Sequence, residues 1–262
     1  MKMRFAGRKI TPGNLAQKTM GLIALLPRFT IFKNPIRVFF LYAFKGKKQP
    51  LFLELTNGLK IFLSSHQEDI VTTVVVCCKQ DYGIDFANKN IIDIGANIGA
   101  FSLFAAYKGA KKIAAIEPGK EAFETFEKSV KANDMHQTIM PIQAAVTANN
   151  GDTLNFSANS SPNNHPLKNA ANTIAVNTIT LKTIVEQHFA GAIDLLKIDC
   201  EGGEYDILYN AENKTLARIR EIRMELHGQA AQKTALLDHL RQKGFKLDKY
   251  EQDIAWLTNT RA

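Results

Sequence analysis

The stretch IIDIGANIGAFSLFAA, residues 91–106, constrains the fold more than any other part of the chain. An apolar run interrupted by one acid meets a turn holding Gly95 and Gly99, and a second apolar run follows. A strand buried on both faces that turns through glycines into a helix opens a parallel βαβ unit. In sheets of that kind ligands bind beyond the carboxyl ends of the strands, where strand order reverses. Residues 93–99 are therefore the first place to look for a site.

The βα rhythm continues to the end of the chain. Apolar runs predict strands at 90–95, 112–117, 138–146, 193–199 and 218–227. Helices are expected at 99–108, 119–133, 180–189, 203–210 and 230–243. In the second of these Phe123, Phe126 and Val130 form one stripe. Gly244 ends the last helix, and FKLDKYE and AWLTNT close the chain as a hairpin. Alternation of this kind gives an α/β fold, a mostly parallel sheet with helices on both faces. Upstream, LFLELTNGLKIFLSS predicts a hairpin with positive φ at both Asn57 and Gly58. Residues 67–80 read as a helix, although Val71–Cys78 would also suit a strand. Residues 1–50 read as two short helices broken near Pro27 and Pro35. The Asn-, Ser- and Pro-rich residues 157–173 read as a surface loop, mobile or lid-like. The expected division is a basic head with hairpin over 1–80 and a catalytic domain over 81–262.

Charge separates these two parts. Residues 1–50 hold eleven Lys or Arg and no acid, while the remainder holds 22 basic and 25 acidic residues. A nucleic-acid enzyme would more often be basic around its site, so nucleic acid is disfavoured as a partner. The head also carries MGLIALL and VFFLYAF. Basic plus apolar suits either a helix on an anionic membrane surface or an extension packed on the domain with its lysines solvated. GLIALL is a short apolar run followed by Pro27-Arg28, with no small-x-small cleavage site. No apolar run approaches the ~20 residues of a spanning helix. Cys77, Cys78 and Cys200 are odd in number and two are adjacent, which argues against a disulfide framework. A cytoplasmic location follows, with peripheral attachment to the inner membrane face left open.

The turn itself discriminates between ligands. A dinucleotide site wants G-x-G-x-x-G, whereas here the spacing is G-x-x-x-G with Asn97 in the middle. Asp93 ahead of the turn would face a cationic ligand, such as the ammonium and sulfonium of S-adenosylmethionine. Glu117, 22 residues beyond Gly95, ends the next strand and suits both hydroxyls of a ribose. Gln143 and Ala144 end the third strand and are placed to line an adenine. For Gly95 and Gly99 alone, a tight turn and close helix packing would be explanation enough.

Together IIDIGANIGAFSLFAA, IAAIEPG and IDLLKIDCEGGEYDIL resemble the FkbM family of S-adenosylmethionine-dependent methyltransferases. The resemblance runs from about Asn90 to His227. It implies a seven-stranded class I methyltransferase fold, Rossmann-like, with a reversed last strand, and usually O-methylation. It also implies cofactor contacts at Asp93, Gly95, Asn97, Gly99 and Glu117. The acceptor it suggests is a hydroxyl on a sugar, a glycan or glycolipid, or a secondary metabolite.

At the reacting end, Lys197, Asp199 and Glu201 alternate and would point to one side of an extended chain. Glu204 opens the following helix, where capping explains it best. In IREIRMELHG, Glu225 and His227 share a face opposite Ile222, Met224 and Leu226 and should meet the Asp199–Glu201 cluster. Methyl transfer to a hydroxyl needs a base, for which His227 is the first candidate and Asp199 the second. Asp199, Glu201, Glu225 and His227 would alternatively hold a divalent ion anchoring a sugar diol. Three rival readings remain: a nucleic-acid N-methyltransferase, a nicotinamide oxidoreductase and a non-catalytic nucleoside-binding protein. The first lacks its Asn/Asp-Pro-Pro-aromatic stretch, since that slot reads DCEG. The second lacks its glycine spacing. The dense charged cluster argues against the third.

Overall fold

A computed structural model describes residues 4–5, 8–9, 24–44, 50–157 and 173–261. Residues 21–23 of the GLIALL run and the body of the 157–173 loop lie outside those residues. Pro27 falls in the first turn of a 3-10 segment, Leu26–Ile31, and Pro35 opens helix α1, Pro35–Phe44. Helical backbone at 24–25 gives way to the 3-10 segment at Pro27 and a new helix begins at Pro35, so the breaks fall near both prolines as expected, where a first-turn N–H has no helical partner to lose.

Strands β1 (Phe52–Glu54) and β2 (Lys60–Phe62) form the expected antiparallel hairpin. Its turn is different from the expected one. Only Gly58, not Asn57, has positive φ, at +93°. The Gly58 N–H donates to Leu55 O and the Leu55 N–H to Leu59 O, which closes a three-residue loop with a left-handed glycine. Residues 67–80 are helical: α2, Glu68–Val74, widens into a π turn over Val75–Lys79 and stops at left-handed Gln80.

Besides a short antiparallel pair at Arg4–Phe5 and Arg8–Lys9, the strands that follow β2 in chain order are β3 (Asn90–Ile94), β4 (Lys112–Ile116), β5 (Ile139–Ile142), β6 (Ala145–Val146), β7 (Thr153–Ser157), β8 (Thr173–Ile179), β9 (Ile193–Ile198), β10 (Ile219–Glu225), β11 (Phe245–Glu251) and β12 (Ile254–Asn259). Between them run α3 (Ala100–Tyr107), α4 (Lys120–Ala132), α5 (Leu181–His188), α6 (Glu204–Tyr209), α7 (Asn213–Leu216) and α8 (Ala230–Gln242). The main sheet has seven strands in the order β11-β12-β10-β9-β3-β4-β5. All its pairings are parallel except those of β12, which runs against both neighbours. This is the class I methyltransferase sheet with its reversed last strand. Chain order reverses between β3 and β9, so the switch point falls there.

The expected strand over 138–146 is two strands. Pro141 lacks an N–H for the ladder and is tolerated because β5 is the sheet edge. The chain then leaves the sheet, and β6 pairs instead with β8 in a small sheet ordered β6-β8-β7. Strand alternation divides the apolar residues between two layers. Ile91, Ile113 and Leu195 pack with Phe101, Phe104 and Phe126 of α3 and α4. Ile92, Ile116, Leu196 and Ile222 pack with α5, α6 and α8 on the opposite face.

Candidate functional site

A cavity of about 1330 Å³ lies over the carboxyl ends of β3, β4, β9 and β10, with α2 and the small sheet as its side walls. At one end is the turn after β3. Gly95 has φ +76°, and a Cβ there would lie 1.8 Å from Asp199 O, so the turns after β3 and β9 meet backbone to backbone. Asn97 is left-handed, with φ 51°, and donates its N–H to Glu117 Oε2 at 2.8 Å. The Gly119 N–H donates to the other carboxylate oxygen at 2.7 Å. Glu117 is thereby fixed at the rim, and each oxygen keeps a lone pair for a ligand. Burial pushes its pKa up to about 7, against the lowering effect of those two hydrogen bonds.

Gly95, Asn97, Glu117 and Ala144 line the cavity; Asp93, Gly99 and Gln143 stand off its wall. Asp93 was expected to face a cationic ligand, but its charge is answered from within. It is fully buried, in register with Lys197 on β9, whose Nζ lies 3.0 Å from Oδ1, and Ser102 Oγ donates to Oδ2 at 2.7 Å. Gly99 caps α3, and a Cβ on it would lie 1.9 Å from the Phe126 ring, so its smallness serves helix packing. Gln143 is exposed.

At the other end, the alternation expected through Lys197, Asp199 and Glu201 stops at Asp199. Strand β9 finishes at Ile198, and Glu201 is reached through a tight turn in which its φ is 50°. Lys197 is buried and also donates to Gly95 O at 2.8 Å. Burial lowers its pKa, but the charges of Asp93 and Asp199 outweigh burial and raise it. Asp199 accepts a hydrogen bond from Tyr82 Oη at 3.0 Å.

The end of β10 does bring Glu225 and His227 to this cluster. His227 Nε2 lies 3.4 Å from Glu201 Oε2 and 4.0 Å from Glu225 Oε1, and Nδ1 lies 3.3 Å from Glu204 Oε1. Glu204 does more than cap α6. Fully buried, it accepts the Gly202 N–H at 2.8 Å and the His227 backbone N–H at 2.7 Å, joining the turn after β9 to the end of β10. Burial raises the Glu204 pKa, but the hydrogen bonds from His227 prevail and lower it. The bond to Glu204 pushes His227 up to about 9. Burial, then the charge of Asp199, pushes Glu225 up to about 7.

Asp199, Glu225 and His227 offer ligand atoms within 4.8 Å of one another, a donor set that suits a divalent cation. Glu201 belongs to the cavity wall but not to that group.

Sequence reasoning missed Tyr82, the Glu204 linkage, and Val71, Thr72, Val75 and Val76 of the helical wall. Tyr82 is 117 positions from the carboxylate it binds, and no local pattern signals such a pair. Thr178, also missed, lines the cavity with a buried hydroxyl that has no hydrogen-bond partner among the described residues.

The chain is similar to known proteins. The sequence profile of the methyltransferase FkbM domain matches residues 93–247. The methyltransferase sdnD of Sordaria araneosa is 23% identical over 196 residues, 62% of this chain and 76% of that protein. Among solved structures, the methyltransferase FkbM of Methylobacillus flagellatus aligns with a TM-score of 0.49 at 10% identity, over 94% of this chain and 60% of that one. TrmK of M. capricolum, solved with S-adenosyl-homocysteine, aligns with a TM-score of 0.44 at 13% identity, over 70% and 67% of the two chains.

Proposed function

The chain belongs to the FkbM methyltransferase family, and we propose that it uses S-adenosylmethionine to methylate a hydroxyl on a sugar, glycan or secondary metabolite. One observation carries the reading: a single cavity joins the Gly95–Glu117 end to the Asp199–Glu225–His227 end. The residues present fit such a donor. Gly95 leaves the β3 turn bare, Glu117 has two free lone pairs for a diol, and Ala144 offers an apolar surface to a base. When bound, S-adenosylmethionine supplies an electrophilic methyl group on a sulfonium.

The chain's own part is to position the acceptor and take its proton. Glu204 accepts from Nδ1 and so leaves Nε2 of a neutral His227 as the proton acceptor, facing Glu201 and Glu225. Asp199, Glu201 and Glu225 are hydrogen-bond acceptors suited to a polyhydroxylated acceptor. The same carboxylates would repel the phosphates of a nucleic acid, which disfavours that alternative.

Labelled S-adenosylmethionine incubated with the protein and a native extract, followed by fractionation, would identify the labelled product. Titration calorimetry is expected to register S-adenosylmethionine and not NAD; binding of neither would sink the enzyme reading. His227→Ala is expected to keep cofactor affinity and to lose about 10²–10⁴ in transfer rate. Normal turnover by that variant would remove the base assignment. Activity abolished by a chelator and restored by a divalent ion would instead assign Asp199, Glu225 and His227 to a cation.

A further inference from the structure

Helix α1 presents an exposed apolar face that is not covered among the described residues. Ile36, Phe40 and Phe44 are 72%, 53% and 71% exposed. Four-residue spacing sets them in one row along the helix, and the Phe40 and Phe44 rings stack at 5.6 Å. The opposite side of α1 is anchored. Val38 and Ala43 are buried, and Phe39 meets Phe29 edge-on at 5.5 Å. The row therefore cannot turn inward without unpacking the helix.

Charge indicates what this face suits. Exposed Arg37 stands beside the row, and Lys45, Lys47 and Lys48 follow α1 directly in the sequence. Residues 1–50 contain eleven basic side chains and no acid. Two copies of so basic a segment would repel one another. An apolar row beside exposed Arg37, and just ahead of Lys45, Lys47 and Lys48 in the sequence, matches the boundary of an anionic bilayer, where acyl chains lie beneath negative headgroups. Among the described residues no helix is long and apolar enough to cross a membrane, so a surface position is the relevant one.

We propose that α1 docks on an anionic lipid surface, with Ile36, Phe40 and Phe44 entering the acyl boundary and the neighbouring Lys and Arg meeting the headgroups. Helix α1 packs against α2, whose Val71 and Thr72 line the cavity. Docking through α1 thus sets the cavity beside the bilayer. The proposal rests on exposure and charge, not on the reaction.

The test is sedimentation of the full chain with vesicles of phosphatidylglycerol and phosphatidylcholine, compared with phosphatidylcholine alone. The protein is expected to pellet with the anionic vesicles only, and less at high salt. The triple variant Ile36→Ser/Phe40→Ser/Phe44→Ser, checked for an unchanged thermal melt, is expected to bind at least about tenfold more weakly. As a second variant, Phe40→Trp should shift its emission to the blue with anionic vesicles. No pelleting of the unaltered chain overturns the proposal. So does pelleting that the triple variant leaves unchanged, which would reduce the effect to loose polycation attraction. A dimer in light scattering that only the triple variant abolishes would assign the face to a second copy and also overturn it.

Discussion

Asp93 and Lys197 face one another across β3 and β9, 3.0 Å apart, with 0% and 4% of their side chains exposed. Removing one partner of a buried pair leaves an uncompensated charge, which typically costs about 3–5 kcal/mol. Asp93→Ala is therefore expected to lower stability by that amount in denaturant melts. Asp93→Ala/Lys197→Met should recover most of it, since no charge is then stranded. An Asp93→Ala protein that melts normally and fails only to bind cofactor would show a direct ligand contact instead. Glu117 carries a pH signature of its own. Burial raises its pKa from 4.5 to about 7 on folding, so the folded state holds the proton over that window. Stability from this group is full below about pH 4.5 and is lost as pH rises through 7, by about 3 kcal/mol at most. A diol that donates to the carboxylate reverses that loss. Stabilisation by S-adenosylmethionine in a thermal melt should therefore be larger at pH 8 than at pH 6; equal shifts would remove Glu117 from the ribose subsite.

At the scale of elements, the turn after β9 and the end of β10 work as one unit through Glu204. Its two oxygens hold the Gly202 and His227 backbones, and its hydrogen bond to Nδ1, with its charge behind it, pushes the His227 pKa up to about 9. The profile of kcat/KM is expected to rise toward pH 9 as His227 loses its proton. In Glu204→Gln that rise should move to lower pH, because the charge is gone while a hydrogen-bonding group remains. A purely structural Glu204 would alter the amplitude and leave the midpoint in place. Most regular elements of the main sheet could be read from the chain because their patterns had one physical solution, whereas Val71–Cys78 suited helix and strand alike. IIDI and DLLKI are buried on both faces, and the stripe of α4 needs a helix. The small sheet was not legible, because β6 has two residues and β7 and β8 flank polar sequence. Within the site, residues at strand ends could be placed by alternation. The Glu204–His227 bond and the Asp93–Lys197 pair depend on strand register, which a single sequence does not encode locally.

The whole molecule shows why a basic head and a catalytic body do not separate at residue 80. Phe29, Phe32, Leu53, Leu55 and Ile61, all 3% exposed or less, belong to the same core cluster as Ile91, Leu103 and Phe104. Residues of α2 on the head side of that boundary also wall the cavity. Burying a large apolar side chain contributes roughly 1.5–3 kcal/mol, so these five contribute about 10 kcal/mol. That is comparable to the whole stability of an ordinary domain, about 5–15 kcal/mol. A chain beginning at residue 81 is therefore expected to lack a cooperative thermal transition and to expose α3 and α4 to a hydrophobic dye. Removing only residues 1–23 leaves all five side chains in place, and that truncated chain should keep a cooperative transition. If the chain from residue 81 melted cooperatively and bound S-adenosylmethionine, the head would be an appendage and the cavity would close without α2. On the packing described, the residues of 24–80 that join this core form the outer part of the layer that covers β3, and α2 within it walls the cavity.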